Sequence, residues 1–283
     1  MLPFLSPPSS NVGELDFKLE AANLNEFRDF LVTNELTDIA TAPRPYPEAS
    51  GTRTLTMERL NGVALVDLEG IKSYAANPEQ TLINALNTWA LSVYACPSFH
   101  ADVHAGNLLV LQGGKVGFID FGIVGRVPSS IWASLQALAL SLAGAGGGGS
   151  GGGPNFVMAA EALVTMGAAE STVDVAAFAR DLEAVYVKLD SVAADLEASD
   201  GRLEFDVNGE LDESSSQVAG LAVEIVGVAN RNGVKLPREF GILLKQVLYF
   251  DRYTRLLAPE LDFMEDDRLE SLRSASTEGS VLR

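Results

Sequence analysis

Cysteine is almost missing from this chain, with one, Cys96, in 283 residues. That excludes an internal disulfide and any cysteine-built metal cluster, and at the end of an apolar run Cys96 reads as a small buried hydrophobe. Cationic side chains are also short, 20 lysines and arginines against 38 acids, for a formal charge of −18. Such a balance argues against a nucleic-acid surface or a polybasic membrane anchor. No apolar run reaches the roughly 20 residues of a spanning helix. What is abundant is hydrophobic residue, 47% of the chain, enough for one two-lobed domain with a sizeable core.

The informative stretch is Phe99 to Gly122, FHADVHAGNLLVLQGGKVGFIDFG. Asp102 and Asn107 stand five apart, the acid-to-amide step of the protein-kinase catalytic loop. His100-Ala101-Asp102 forms a variant of that loop's opening triplet, and Asp120-Phe121-Gly122 is a literal Asp-Phe-Gly. Phosphoryl transfer asks for metal ions on the phosphate oxygens and an acceptor held in line. Asp120 supplies a direct magnesium ligand, and Asn107 supplies a neutral oxygen that avoids a third carboxylate in the same pocket. Asp102 orients or deprotonates the attacking hydroxyl, while Gly122 permits a backbone turn after the metal ligand. Leu108 to Leu111 and Val116 to Ile119 read as strands joined by Gln112-Gly113-Gly114, a hairpin that carries Asn107 and Asp120 to one end. Any one of these matches alone is ordinary loop chemistry, but the ordered set is hard to obtain by accident. The chain's two histidines, His100 and His104, both fall here, and the lack of a third nitrogen or sulfur ligand nearby argues against zinc.

The run His100 to Asn107, HADVHAGN, resembles the His-Ala-Asp-Pro-His-Pro-Gly-Asn signature of the UbiB-type atypical kinases, with Val103 and Ala105 in place of its prolines. Upstream, Glu14 to Asn23, ELDFKLEAAN, resembles the family's Glu-x-Asp motif followed by a helix glutamate. The resemblance makes Glu14 and Asp16 that motif and Glu20 the partner of a nucleotide-binding lysine. It also implies a hinge at Met57, Glu58 and Arg59, where backbone groups meet the adenine ring, and a carboxy-terminal part beginning near Leu236-Pro237-Arg238-Glu239-Phe240. The family's Lys-x-Gly-Gln extension, alanine-rich nucleotide loop and strand lysine have no counterpart here. Lys18, two residues from Glu20 on one helix, points off its face. The resemblance therefore implies an amino-terminally truncated domain that by itself binds ATP poorly.

Along the chain, residues 1–13 are a proline- and serine-rich lead. Residues 14–62 read as a residual small lobe, with a helix from Asp16 to Val32 striped by Phe17, Ala21, Leu24, Phe27 and Leu31. Thr52 to Leu60 reads as a strand entering a turn at Asn61-Gly62. Residues 63–143 form the large lobe, including a helix from Pro78 to Cys96 with Leu82, Ile83, Leu86, Trp89, Ala90 and Val93 on its buried face, and another opened by Pro128 and running to Leu142. Residues 144–153 satisfy G-x-G-x-x-G, but they follow a helix and are low in complexity, so they read as a flexible linker. Residues 154–265 are a helical extension with helices over 156–166, 173–196, 217–230 and 237–257. The acidic stretch at 197–213 reads as a solvated loop rather than a calcium site. A disordered tail at 266–283 follows.

The expectation is an α+β, protein-kinase-like fold with a truncated small lobe, a predominantly helical large lobe and a C-terminal extension. The resemblance implies an ATP- and Mg2+-dependent kinase or ATPase supporting prenylquinone or isoprenoid-lipid metabolism. It would act with lipids and lipid-biosynthesis proteins at a membrane surface, in a plastid (its lipid globules in particular) or else a mitochondrion. A catalytically impaired scaffold is the alternative. A small-molecule phosphotransferase would share the catalytic loop but would not account for Glu14 and Asp16 ahead of Glu20.

Overall fold

The computed structural model describes residues 16–104, 106–142, 153–169, 173–198, 217–261 and 268–269. Glu14, the lead, almost all of the glycine run, the acidic stretch from 199 and nearly all of the tail lie outside them. The described part is mixed α/β, rich in helix with one small sheet. It divides into a first unit, Met1–Arg126 with Tyr249–Ala275, and a second, Val127–Leu248 with Ser276–Arg283.

The first unit opens with α1 (Phe17–Thr33), capped where Asp16 Oδ1 accepts the Lys18 amide at 3.0 Å. Leu24, Phe27, Phe30 and Leu31 are buried on its inner face together with Glu20, whereas Phe17 at the first position is 36% exposed. The expected stripe is thus corrected at its first member and gains Phe30. Next come β1 (Ala40–Thr41), β2 (Gly62–Ala64), α2 (Leu68–Tyr74), α3 (Pro78–Ala95), β3 (Phe99–His100), β4 (Leu108–Leu111), β5 (Val116–Phe118) and β6 (Val124–Gly125). The main sheet runs β1-β5-β4-β2, with β1 parallel to β5 and the other pairs antiparallel. The expected hairpin is β4–β5, and its turn works because Gly113 and Gly114 take φ of 82° and 79°.

The strand expected over Thr52 to Leu60 does not form, and Gly62, assigned to a turn, instead opens β2. The reason is competition from side chains. Tyr46 N–H donates to Thr56 O and Glu58 N–H to Arg44 O, both 2.8 Å, but the amides that would complete the ladder bond side chains instead, Thr56 N–H to Ser50 Oγ at 2.9 Å and Arg44 N–H to Glu58 Oε2 at 3.2 Å. Elements without a clear sequence signal include α2, capped where Asp67 Oδ1 accepts the Gly70 amide at 2.9 Å, and the β3–β6 pair.

The second unit contains α4 (Ser129–Leu142), α5 (Phe156–Met166), β7 (Ala168–Ala169), α6 (Val175–Ala198), α7 (Gln217–Arg231), β8 (Val234–Lys235) and α8 (Arg238–Leu257), whose residues from Tyr249 belong to the first unit. These helix bounds fall within two residues of those expected. Its core joins Ala159, Leu163 and Met166 of α5 to Phe178, Leu182 and Val185 of α6 and to Val228 of α7. Asn155 caps α5 by accepting the Met158 amide at 3.1 Å. Among the described residues, no helix is long and apolar enough to cross a membrane.

Candidate active site

Helix α3 delivers the chain to the site. It begins at Pro78 after the Asn77 cap and ends at buried Cys96, whose thiol pKa burial pushes up to about 11. From there β3 enters the loop between His100 and Asn107. The β4–β5 hairpin follows, and β6 pairs back with β3 through Phe99↔Gly125 and His100↔Val124. The loop and the Asp-Phe-Gly segment are therefore clamped together by two short ladders.

His100 is fully buried and built into the backbone of the loop. Its Nε2 lies 2.9 Å from the Ile119 carbonyl and its Nδ1 accepts the Asp102 amide at 3.1 Å. One ring nitrogen must donate and the other must accept, so the proton sits on Nε2 and the ring is neutral. Burial lowers its pKa accordingly. His100 is thus a structural post and not a metal ligand in this arrangement. His104 is half-exposed, with Nε2 3.7 Å from Asp102 Oδ2 and Nδ1 accepting the Gly106 amide at 3.1 Å.

Asn107 is 5% exposed. Its Nδ2 donates to the Asp102 carbonyl at 3.0 Å, and its own carbonyl accepts the Ile119 amide at 3.0 Å. Directing Nδ2 to the loop leaves Oδ1 as the atom for a cation. The second bond sets Asn107 beside the residue preceding Asp120, as the hairpin reading required.

Asp120 adopts φ of 62°, a left-handed conformation uncommon for a residue with a side chain. The positive φ thus falls on Asp120, and the turn itself follows at Phe121 and Gly122. Gly122 leaves room beside the acids: a Cβ there would lie 3.2 Å from Asp120 Oδ1, a tight approach, and 3.9 Å from Glu20 Oε2. Its amide also faces Asp120 Oδ1 at 3.3 Å. Two carboxylates consequently share this corner. Burial, and then the neighbouring Asp120 charge, raise the Glu20 pKa, offset in part by a hydrogen bond from the Phe121 backbone.

Helix α1 is anchored there by Phe121, which is 1% exposed and packs on Phe27 with ring centroids 4.9 Å apart and on His100 at 4.7 Å. Asn23 Nδ2 donates to the Phe121 carbonyl at 3.0 Å. Asn23 stands three residues after Glu20, a same-face spacing that could have singled it out.

Asp102, Asn107, Asp120, Gly122, Glu20, His100 and His104 all belong to this loop, hairpin end and helix face. Asp16 serves as a helix cap. Glu58 faces elsewhere, accepting the Arg44 amide at 3.2 Å and lying 3.9 Å from Arg28. Met57 is 38% exposed. The donor set that could hold a cation is Asp120 and Asn107 with Glu20 alongside, all oxygen, which suits a hard ion such as magnesium. No group of three or more histidine, cysteine or acidic side chains fit for a metal occurs among the described residues.

Residues 9–145 match the ABC1 atypical kinase-like domain. The chain is 43% identical over 276 residues to a chloroplastic, uncharacterized aarF domain-containing protein kinase of Arabidopsis thaliana, covering 95% of this chain and 49% of that protein. An uncharacterized protein of Mycobacterium tuberculosis is 30% identical over 261 residues, 90% of this chain and 47% of its own length. A probable protein kinase UbiB of Shewanella denitrificans is 32% identical over 121 residues, 41% of this chain and 21% of that one. The chain spans about half the length, or less, of these curated relatives. By its catalytic-loop residues and these similarities, the chain belongs to the ABC1/UbiB family of atypical kinase-like proteins.

Proposed function

We propose that this chain carries the catalytic centre of an ATP- and Mg2+-dependent kinase-like phosphotransferase or ATPase supporting prenylquinone or isoprenoid-lipid metabolism. The observation that carries the reading is the β4–β5 hairpin, which returns Asn107 and Asp120 to one end, next to the loop bearing Asp102 and beside Glu20. Asp120 and Asn107 would hold magnesium, which when bound would neutralise charge on the phosphate oxygens. Asp102 would orient the acceptor hydroxyl or water and take its proton. Glu20 would pair with a nucleotide-binding lysine. Adenine would meet backbone near Met57, Glu58 and Arg59. The Glu58 amide already donates to Arg44 O, so Met57 and Arg59 would supply those contacts.

The chloroplastic designation of the Arabidopsis relative supports a plastid setting, with the lipid globule as the membrane surface on which the protein would work. The test is magnesium-dependent ATP binding and hydrolysis by this chain, and by a longer version fused to the segment preceding the matched region of the Arabidopsis relative. Asp120→Asn is the control in each. Turnover that disappears in the variant is the expected result. Absence of magnesium-dependent nucleotide binding in both versions overturns the reading and leaves a scaffold.

A further inference from the structure

The loop from His100 to Asn107 lies mostly outside regular structure, so its buried carbonyls need donors from elsewhere. Two are satisfied within the loop, by three bonds. The Asp102 carbonyl accepts from the His104 amide at 2.8 Å and from Asn107 Nδ2 at 3.0 Å, and the His104 carbonyl accepts the Asn107 amide at 2.9 Å. Two others, flanking Asp102, are held from outside. Trp89 Nε1 donates to the His100 carbonyl at 3.0 Å, and Tyr253 Oη donates to the Val103 carbonyl at 3.1 Å. Tyr253 is 1% exposed and Val103 is fully buried. Phe250 joins the two donors, its ring 5.2 Å from Trp89 and 6.1 Å, nearly edge-on, from Tyr253.

We infer that Tyr253 is a positioning residue for the catalytic loop, so that the working catalytic unit includes the end of α8 and does not stop where the family match ends at residue 145. The bond joins residues 150 apart in sequence, and both belong to the first unit. The Tyr253 hydroxyl fixes the Val103–His104 peptide just after Asp102, and the Trp89 indole fixes the His100–Ala101 peptide just before it. Holding both sides of Asp102 restricts the arc its carboxylate can sweep. This rests on the reading of Asp102 as the acceptor-orienting acid, because positioning matters only if Asp102 must meet a substrate in a narrow range of angles.

The test is Tyr253→Phe in the full chain, which keeps the ring in its packed site and removes only the donor. Hydrogen exchange of the amides in 99–107 should accelerate about five- to tenfold, the loss of one buried hydrogen bond. Exchange in β4 and β5 should be unchanged. If the protein turns over ATP, kcat should fall by a similar factor with KM for nucleotide unmoved, and adding Trp89→Phe should deepen the defect. Unchanged exchange over 99–107, or acceleration spread evenly across the unit, overturns the inference, as does a change in KM alone. If the unaltered chain shows no turnover, the functional reading fails, while the exchange result still decides whether Tyr253 positions the loop.

Discussion

Phe17 and Phe27 belong to the same sequence stripe, yet the structure gives them opposite weights, and substituting each by leucine measures the difference. Phe27 is 1% exposed and meets Phe30, Phe118 and Phe121 at centroid distances of 5.6, 5.2 and 4.9 Å. Leucine keeps most of the apolar volume but forfeits three ring pairs of about 0.5–1.5 kcal/mol each. Because contacts that share one ring are not additive, the expected cost of Phe27→Leu is about 2 kcal/mol. Phe17, 36% exposed, should change stability by no more than about 0.5 kcal/mol. The chain has two tryptophans, Trp89 in the first unit and Trp132 in the second, so fluorescence in a Trp132→Phe background reports the first unit alone. At a urea slope of about 2 kcal/mol per molar, Phe27→Leu should lower the midpoint by about 1 M and Phe17→Leu by less than about 0.3 M. Equal shifts would refute the claim that the Phe27–Phe121 contact anchors α1 to the Asp-Phe-Gly segment.

Stability of the first unit should also depend on His100. Burial lowers its pKa, so the folded state binds fewer protons than the unfolded state just below the ordinary value of 6.5. The stability present above that pH is therefore lost as pH falls through it. Urea midpoints between pH 7.5 and 5.5 should drop for the parent protein and drop less for His100→Gln; parallel slopes would contradict the buried neutral ring. Gly125→Ala should cost about 1–3 kcal/mol, because the new Cβ would lie 2.3 Å from Phe99 Cζ in a ring only 1% exposed. A Trp89-detected midpoint within error of the parent would show that β3 and β6 can separate without penalty.

Much of the candidate site was legible because its chemistry is local. Asp102, Asn107 and Asp120 are spaced by a loop and a hairpin whose turn glycines and apolar alternation are written in 24 consecutive residues, Phe99 to Gly122. The longer helices were legible through their periodicity and caps. The two-residue strands β1, β3, β6, β7 and β8 were not, since so short a ladder has no alternation to read. The misread strand at Thr52 to Leu60 shows the same limit, because the amides that would complete its ladder bond side chains instead, Thr56 to Ser50 and Arg44 to Glu58. Gly122 drew attention as the residue that eases the backbone, whereas the positive φ fell on Asp120.

The sequence by itself determined which chemical groups are available, their order around the catalytic loop and the family to which they belong. Tertiary structure decided which of those groups meet. It placed the Glu20 carboxylate against Asp120, locked His100 as a neutral post, and brought Tyr253 to the Val103 carbonyl across 150 residues. The physical reason is range. Capping, turn and helical-face preferences act over about four residues, whereas burial and hydrogen bonding of a loop's carbonyls are satisfied by whatever the folded chain brings alongside.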